Sequence, residues 1–241
     1  WVAVVPSAEE PADARDVVRD LRELPAPGDV LIGGTAATLV DATDTIADRL
    51  PWALGVIAVS TFVLLFLFTG SLLIPVKAIM TNLLSLTATF GALVYVFQEG
   101  RLRWLVGDFT PTGTLETTLP VLVFCIAFGL SMDYEVFLLS RVTEAHRRGA
   151  TTTEAIAQGL QRTGGLITAA AAVLVTVFLA LAASNLTALK VIGVGLTLAV
   201  VLDATIVRAL LVPAVMRLAG EANWWAPAPL RRLHQRLRIT D

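Results

Sequence analysis

Cysteine and histidine are scarce in this chain, and much enzyme chemistry is excluded with them. Cys125 is the sole cysteine among 241 residues, so no disulfide can close within the chain. The two histidines, His146 and His234, stand far apart in basic, polar segments and read as solvated side chains rather than catalytic ones. No set of residues has metal-ligand spacing. Neither a nucleophile elbow nor a P-loop occurs. The sequence therefore points to no enzyme, no ATP site, no metal and no cofactor. Gly33-Gly34 is compatible with a phosphate loop, but the rest of that fingerprint is missing and a simple turn is the preferred reading. The chain opens on Trp1 rather than Met, without a signal peptide, and is expected to be a piece of something longer.

Apolar residues are abundant. They make up 56% of the sequence, against about 45–50% in soluble domains, and the mean hydropathy is +0.74. Several runs approach the roughly 20 apolar residues that cross a bilayer. Spans are expected at about 52–68, 72–97, 118–140, 164–183 and 189–216. Pro51 suits the first turn of the first span, and Trp52 its interfacial edge. Lys77 lies near the start of the second span and can snorkel to the interface. Asn82, Ser85 and Thr89 form a polar stripe at helical spacing, read as interhelical hydrogen bonding in preference to a transport lining. Trp104, Leu105, Val106 and Phe109, in the 98–116 loop, suit the membrane surface. Alanine and glycine in the fourth span suit close helix packing.

Residues 1–50 read as soluble α/β in the order β-α-β-α, too short for a full domain and expected to end one that began upstream. Trp1 to Val5 and Asp29 to Ile32 are the strands. Ser7-Ala8-Glu9-Glu10 resembles a capping box. The helix after it places Ala14, Val17, Val18 and Leu21 on one face. A further helix over 35–49 leads into the membrane. Thr151-Thr152-Thr153-Glu154 is suited to cap a short amphipathic helix over 155–162.

Charge gives the topology. Residues 1–50 carry ten acids and four Arg, a net of −6, while residues 217–241 carry five Arg against Glu221 and Asp241, a net of +3. Segment 141–163 is also basic. Basic segments stay inside, so the expectation puts 141–163 and the tail (218–241) in the cytoplasm and residues 1–50 and 98–116 outside. In the tail, Trp224-Trp225 is an aromatic anchor. Arg231, Arg232, Arg236 and Arg238 follow it, suited to anionic lipid headgroups rather than nucleic acid.

The stretch around which these parts are arranged is Gly129-Leu130-Ser131-Met132-Asp133-Tyr134-Glu135-Val136-Phe137-Leu138-Leu139-Ser140-Arg141. It holds two carboxylates inside a membrane span, where a charge costs from about 2.5 to over 10 kcal/mol. Asp133 shares a helix face with Gly129, Ile126 and Phe137, whereas Glu135 lies about 200° away. At 1.5 Å per residue, Asp133 and Arg208 fall at similar depth, with Asp203 deeper. Asp133 is thus expected to face inward towards Arg208 and Asp203, and Glu135 to belong to another site. Two readings stay open: a proton relay of Asp133, Tyr134 and Asp203 that powers movement of an outer domain, or a static Asp–Arg pair that locks helix packing.

The same thirteen residues resemble the signature of the MMPL transporters of the resistance-nodulation-division superfamily. So do Pro75-Val76-Lys77-Ala78, Thr163-Gly164-Gly165-Leu166-Ile167-Thr168, Leu202-Asp203-Ala204-Thr205-Ile206-Val207-Arg208 and Asn223-Trp224-Trp225. The resemblance implies a mostly α polytopic helical bundle. Five transmembrane helices would follow a small α/β piece of an extracytoplasmic porter domain, as part of the second half of a longer protein. It implies proton-motive-force-driven export of lipids or other hydrophobic compounds across the plasma membrane. The family's Asp-Tyr pair falls on Asp133 and Tyr134, and its following hydroxyl on Thr168. Implied partners are the hydrophobic cargo, membrane lipids, the first half of the same chain, and a second copy or an accessory membrane protein. A non-transporting sensing or scaffolding module, of the kind related to sterol-sensing domains, is the alternative.

Overall fold

The computed structural model describes residues 11–25, 28, 30–101 and 118–237. The described chain is mostly helical. A first amphipathic helix, α1 (Pro11–Glu23), lies against the start of α2 (Thr35–Thr69) through Val18, Ala37 and Val40. Ala14, Val17 and Leu21 flank buried Val18, as the periodicity predicts. No β-strand occurs among the described residues, which corrects the α/β reading. Residues 30–32 are irregular and Leu31 is 99% exposed. A strand exists only as part of a ladder, and nothing described here pairs with this segment. Residues 1–10, with the other expected strand and the capping box at Ser7, lie outside the described residues.

Five helical rods are long and apolar enough to cross a membrane. The first is α2, and it absorbs the expected 35–49 helix. Pro51 lies within it rather than at its first turn. Proline leaves the carbonyl four residues earlier unpaired. That residue is Ala47, which is exposed, so water can satisfy it where the helix leaves its apolar section. Gly70 closes α2 in the left-handed conformation, φ 71°, and donates its N–H to Phe66. The second rod is α3 (Leu73–Leu93), extended by a widened π turn over Val94–Gln98. The third is α4 (Thr118–Arg147).

The fourth rod is α5 (Thr152–Ala182). Thr151 and Glu154 form the expected capping box, but the helix runs unbroken for 31 residues instead of ending near residue 162. Its glycines set how closely it packs. A Cβ on Gly159 would lie 2.4 Å from Val142 Cγ2 of α4. The fifth rod begins as α6 (Thr187–Leu202) and passes through a π segment, Asp203–Leu211. It then continues as α7 (Val212–Ala219) and a 3-10 turn over Gly220–Trp224. Gly193 of α6 meets α5 backbone to backbone: a Cβ there would sit 2.3 Å from the Ala182 nitrogen. The chain then forms α8 (Ala228–Leu237).

One end of the bundle is tied by polar contacts. Asn223, fully buried, donates its amide to Met216 O (2.5 Å) and Gly220 O (2.6 Å), and its carbonyl accepts from the Ser71 hydroxyl. Lys77 Nζ donates to Asn223 Oδ1 at 2.7 Å and lies 3.5 Å from Val215 O. Lys77 therefore turns into the protein instead of snorkelling. Neither histidine is merely solvated. His146 stacks on Trp224 at 3.9 Å, and His234 packs on Gly70 with Nε2 2.9 Å from Leu67 O. Trp224 donates its indole N–H to Thr152 and is half-buried, leaving Trp225 as the exposed aromatic. The 98–116 loop lies outside the described residues from residue 102 on.

Candidate functional site

Each face of α4 is set by its rotation in the bundle. Ser131, Met132, Glu135, Leu138, Leu139 and Val142 are buried, which marks one stripe at helical spacing as the inner face. Asp133 and Gly129 lie on the other side and are exposed. The wheel separates the two acids as expected, but the expected assignment is reversed. Glu135, at 5% exposure, is the acid inside the bundle. Asp133 does not meet Arg208 and Asp203.

The inner cluster is built on the π segment. Asp203 and Arg208 are five residues apart, which in an α-helix would separate them by about 140°. The π segment widens the turn, and its end is marked by Val212 donating its N–H to Val207 O, an i→i+5 bond. Arg208 Nη2 consequently reaches Asp203 Oδ2 at 2.5 Å. The same nitrogen donates to Ser131 O at 2.8 Å, and the Ser131 hydroxyl donates to Asp203 Oδ1 at 2.7 Å. Both carboxylate oxygens of Asp203 are thereby satisfied, as burial requires. Arg208 Nη1 is buried and has no hydrogen-bond partner among the described residues.

Tyr134 stands at the edge of this cluster. The Arg208 guanidinium carbon lies 5.2 Å from its ring centre, within cation–π range. Tyr134 also lines a small cavity with Ser131, Asp203, Ile167 and Ala171. Thr168 is exposed on α5, and it does not line that cavity. Glu135 interacts electrostatically with Arg208 and Asp203 without a direct hydrogen bond or ion pair among the described residues. Of the five residues that the sequence brings into the site, the geometry thus joins three, Tyr134, Asp203 and Arg208. It leaves Asp133 and Thr168 on exposed faces, and adds Ser131 and Glu135, which the sequence reading left out. Sequence spacing sets the angle between the two acids but not the rotation of α4 in the bundle, so it assigns Glu135 to another site. Ser131 sits four residues before Glu135 on the same face, a spacing visible in the sequence.

The polar stripe of α3 is buried, and among the described residues it shows no hydrogen bond between helices. Thr89 donates to Ser85 O in its own helix, and the Asn82 amide has no partner among the described residues. In α8, Arg231 and Arg232 are exposed; the side chains of Arg236 and Arg238 lie outside the described ones. No group of three or more potential metal ligands occurs among the described residues.

A charged cluster inside a five-rod apolar bundle invites comparison with membrane transporters. The MMPL family model matches residues 5–238. The chain belongs to the MMPL family. A putative membrane protein of Streptomyces coelicolor is 47% identical over 98% of this chain and 33% of its own length. The trehalose monomycolate exporter MmpL3 of Mycobacterium tuberculosis is 43% identical, over 96% of this chain and 24% of its own length. The heme uptake protein MmpL11 of the same species is 36% identical over 93% of this chain and 24% of its own length. This MMPL chain therefore spans a quarter to a third of the length of these curated relatives. Together with its five apolar rods, the match makes it a multi-pass membrane protein.

Proposed function

We propose that this chain is the second membrane half of a proton-driven exporter of lipids or other hydrophobic compounds in the bacterial plasma membrane. It would act with the remainder of a longer chain. The observation that carries this reading is the placement of Asp133, an exposed carboxylate on a membrane rod next to Tyr134, whose ring meets Arg208. Facing lipid, that carboxylate would cost at least about 2.5 kcal/mol. Covered by the rest of the chain, it gains polar partners and becomes a group that a proton can visit. Thr168 belongs to the same outward-facing set.

Asp203 and Arg208 take the other role left open by the sequence. With both oxygens of Asp203 engaged, that pair suits a fixed lock that orients Ser131 and Tyr134. Lipid cargo is supported by kinship with the trehalose monomycolate exporter. Residues 1–50 would end an extracytoplasmic porter domain, 51–217 would be the membrane bundle, and 218–241 a cytoplasmic tail. Residues 98–116 would lie outside and 141–163 inside. Arg231, Arg232, Arg236 and Arg238 would rest on anionic headgroups.

The test is Asp133→Asn in the full-length protein, with export of a hydrophobic cargo followed in proteoliposomes under an imposed proton gradient. We expect at least a ten-fold loss of export with unchanged expression. Export at the parental rate would sink the relay, and absence of export by the parental protein itself would favour a non-transporting module.

A further inference from the structure

A second cavity, lined by Glu135 and not by Tyr134, holds the carboxyl that the relay does not use. It is narrow, admits water-sized rather than lipid-sized occupants, and is partly open. Its walls include Lys77 and Thr81 of α3, Glu135 and Leu139 of α4, and Val215 and Met216 of α7. Glu135 is the one acid in this wall. It is buried, and unlike Asp203 it has no hydrogen bond among the described residues that would have to break before its proton moves.

The position of the cavity gives it a direction. Lys77 and Val215 are held together at the bundle end where Asn223 ties Ser71 to the 3-10 turn. That end carries the basic turn with Arg147 and Arg148, and Arg217, so it is the cytoplasmic end in the topology proposed above. Glu135 lies about 9 Å inward of Arg141 by helix rise. The charged groups around Glu135 come from three elements: Lys77 of α3 across the cavity, Arg208 and Asp203 of the π segment electrostatically, and Tyr134 next to it on α4. Neither α2 nor α5 contributes to the cavity wall.

We propose that Glu135 is the inner proton port of this transporter, opening to the cytoplasm through the Lys77 cavity. This rests on the relay reading and adds its missing exit. An O–H bond forms on the Glu135 carboxylate as the proton leaves the Asp133–Tyr134 side. That O–H bond then breaks to a cavity water, and the proton departs as hydronium into the cytoplasm. Asp133 and Glu135 lie on opposite sides of one helix, about 3 Å apart along its axis, so the proton passes around the helix from the exposed side to the Lys77 cavity.

The first experiment reads access and leaves Glu135 intact. In the full-length protein with Cys125→Ala, Val215→Cys is exposed to a membrane-impermeant thiosulfonate reagent from either side. Labelling at least ten-fold faster from the cytoplasmic side is expected. Faster labelling from outside, or none in correctly folded protein, overturns the port. The second compares Glu135→Gln and Glu135→Asp in proteoliposomes. The amide is expected to lower export at least ten-fold. The shorter acid is expected to move the dependence on internal pH and leave that on external pH in place. A merely structural role would lower the rate equally at every pH, and that result, or full activity of Glu135→Gln, also overturns the port. If Asp133→Asn is fully active, the relay reading fails, whatever Val215→Cys does. If Asp133→Asn is inactive while Glu135→Gln is active, the relay stands and the port alone falls.

Discussion

Arg22 and Arg208 each reach an aspartate with nearly the same geometry and in opposite surroundings. Arg22 Nη1 lies 2.6 Å from Asp41 Oδ1, with a second bond of 3.0 Å, and the two side chains are 35% and 59% exposed. Arg208 Nη2 lies 2.5 Å from Asp203 Oδ2, with side-chain exposures of 4% and 10%. Distance alone would rank the pairs as equals. Solvent ranks them differently. Water can replace either partner of the outer pair, whose charges are screened. The inner pair has no such substitute, so losing one partner strands the other charge in an apolar interior. The outer pair fastens α1 to α2, whereas the inner pair decides how α4 and the π segment meet.

The largest effect is expected from breaking the inner pair. Arg208→Met leaves Asp203 buried and unpaired, and should lower stability by about 3–5 kcal/mol, read as thermal unfolding of the full-length protein in detergent. Adding Asp203→Leu should recover most of that loss, because two well-packed apolar residues often match a buried ion pair. A double variant as unstable as Arg208→Met would mean that the site depends on charge rather than on pairing. Next comes Ser131→Ala, which removes one hydrogen bond to Asp203 and should cost about 1–3 kcal/mol. The smallest effect belongs to the outer pair. Arg22→Ala should leave the unfolding temperature almost unchanged at neutral pH. Arg22 holds the Asp41 carboxyl, which lies on α2 before its apolar section, below the usual carboxylate range. The small stability it adds is present above the unfolded aspartate pKa and fades as the pH falls through the depressed folded value. A pH titration of unfolding, parental against Arg22→Ala, should therefore converge in acid. Convergence at neutral pH and divergence in acid would break the comparison.

Much of the architecture was legible in particular residues. The five apolar runs, the Thr151–Glu154 cap and the Val18 face of α1 are local features, and each is present in the structure. The strand expected over 29–32 is absent from its described residues, 30–32, because a strand needs a partner that local sequence does not supply. The length of α5 was missed because the capping box marks where a helix starts and says nothing of where it stops. The site was half legible. Depth along a rod follows from counting residues at a fixed rise, which sets Arg208 near the level of Asp133, and Arg208 bonds Ser131, two residues before Asp133. Rotation about the rod does not follow, since lipid tails and protein interior are equally apolar and a membrane helix need not be amphipathic. That gap turned Asp133 towards Arg208 and gave Glu135 to another site, whereas packing among the described residues buries Glu135 and leaves Asp133 exposed.

By itself, then, the sequence determined that five rods are long and apolar enough to cross a membrane, how far apart residues lie along each rod, and that Asp133 and Glu135 point apart. These follow from helix rise, helix angle and hydrophobic length, all local quantities. Only the tertiary structure decided which of the two acids is buried. It also decided that Asp203 and Arg208 meet across a widened turn, and that Lys77 belongs to a cavity beneath Glu135. Each of those depends on a neighbour distant in sequence: Ser131 for Asp203, Asn223 for Lys77, and the inner face of the bundle for Glu135.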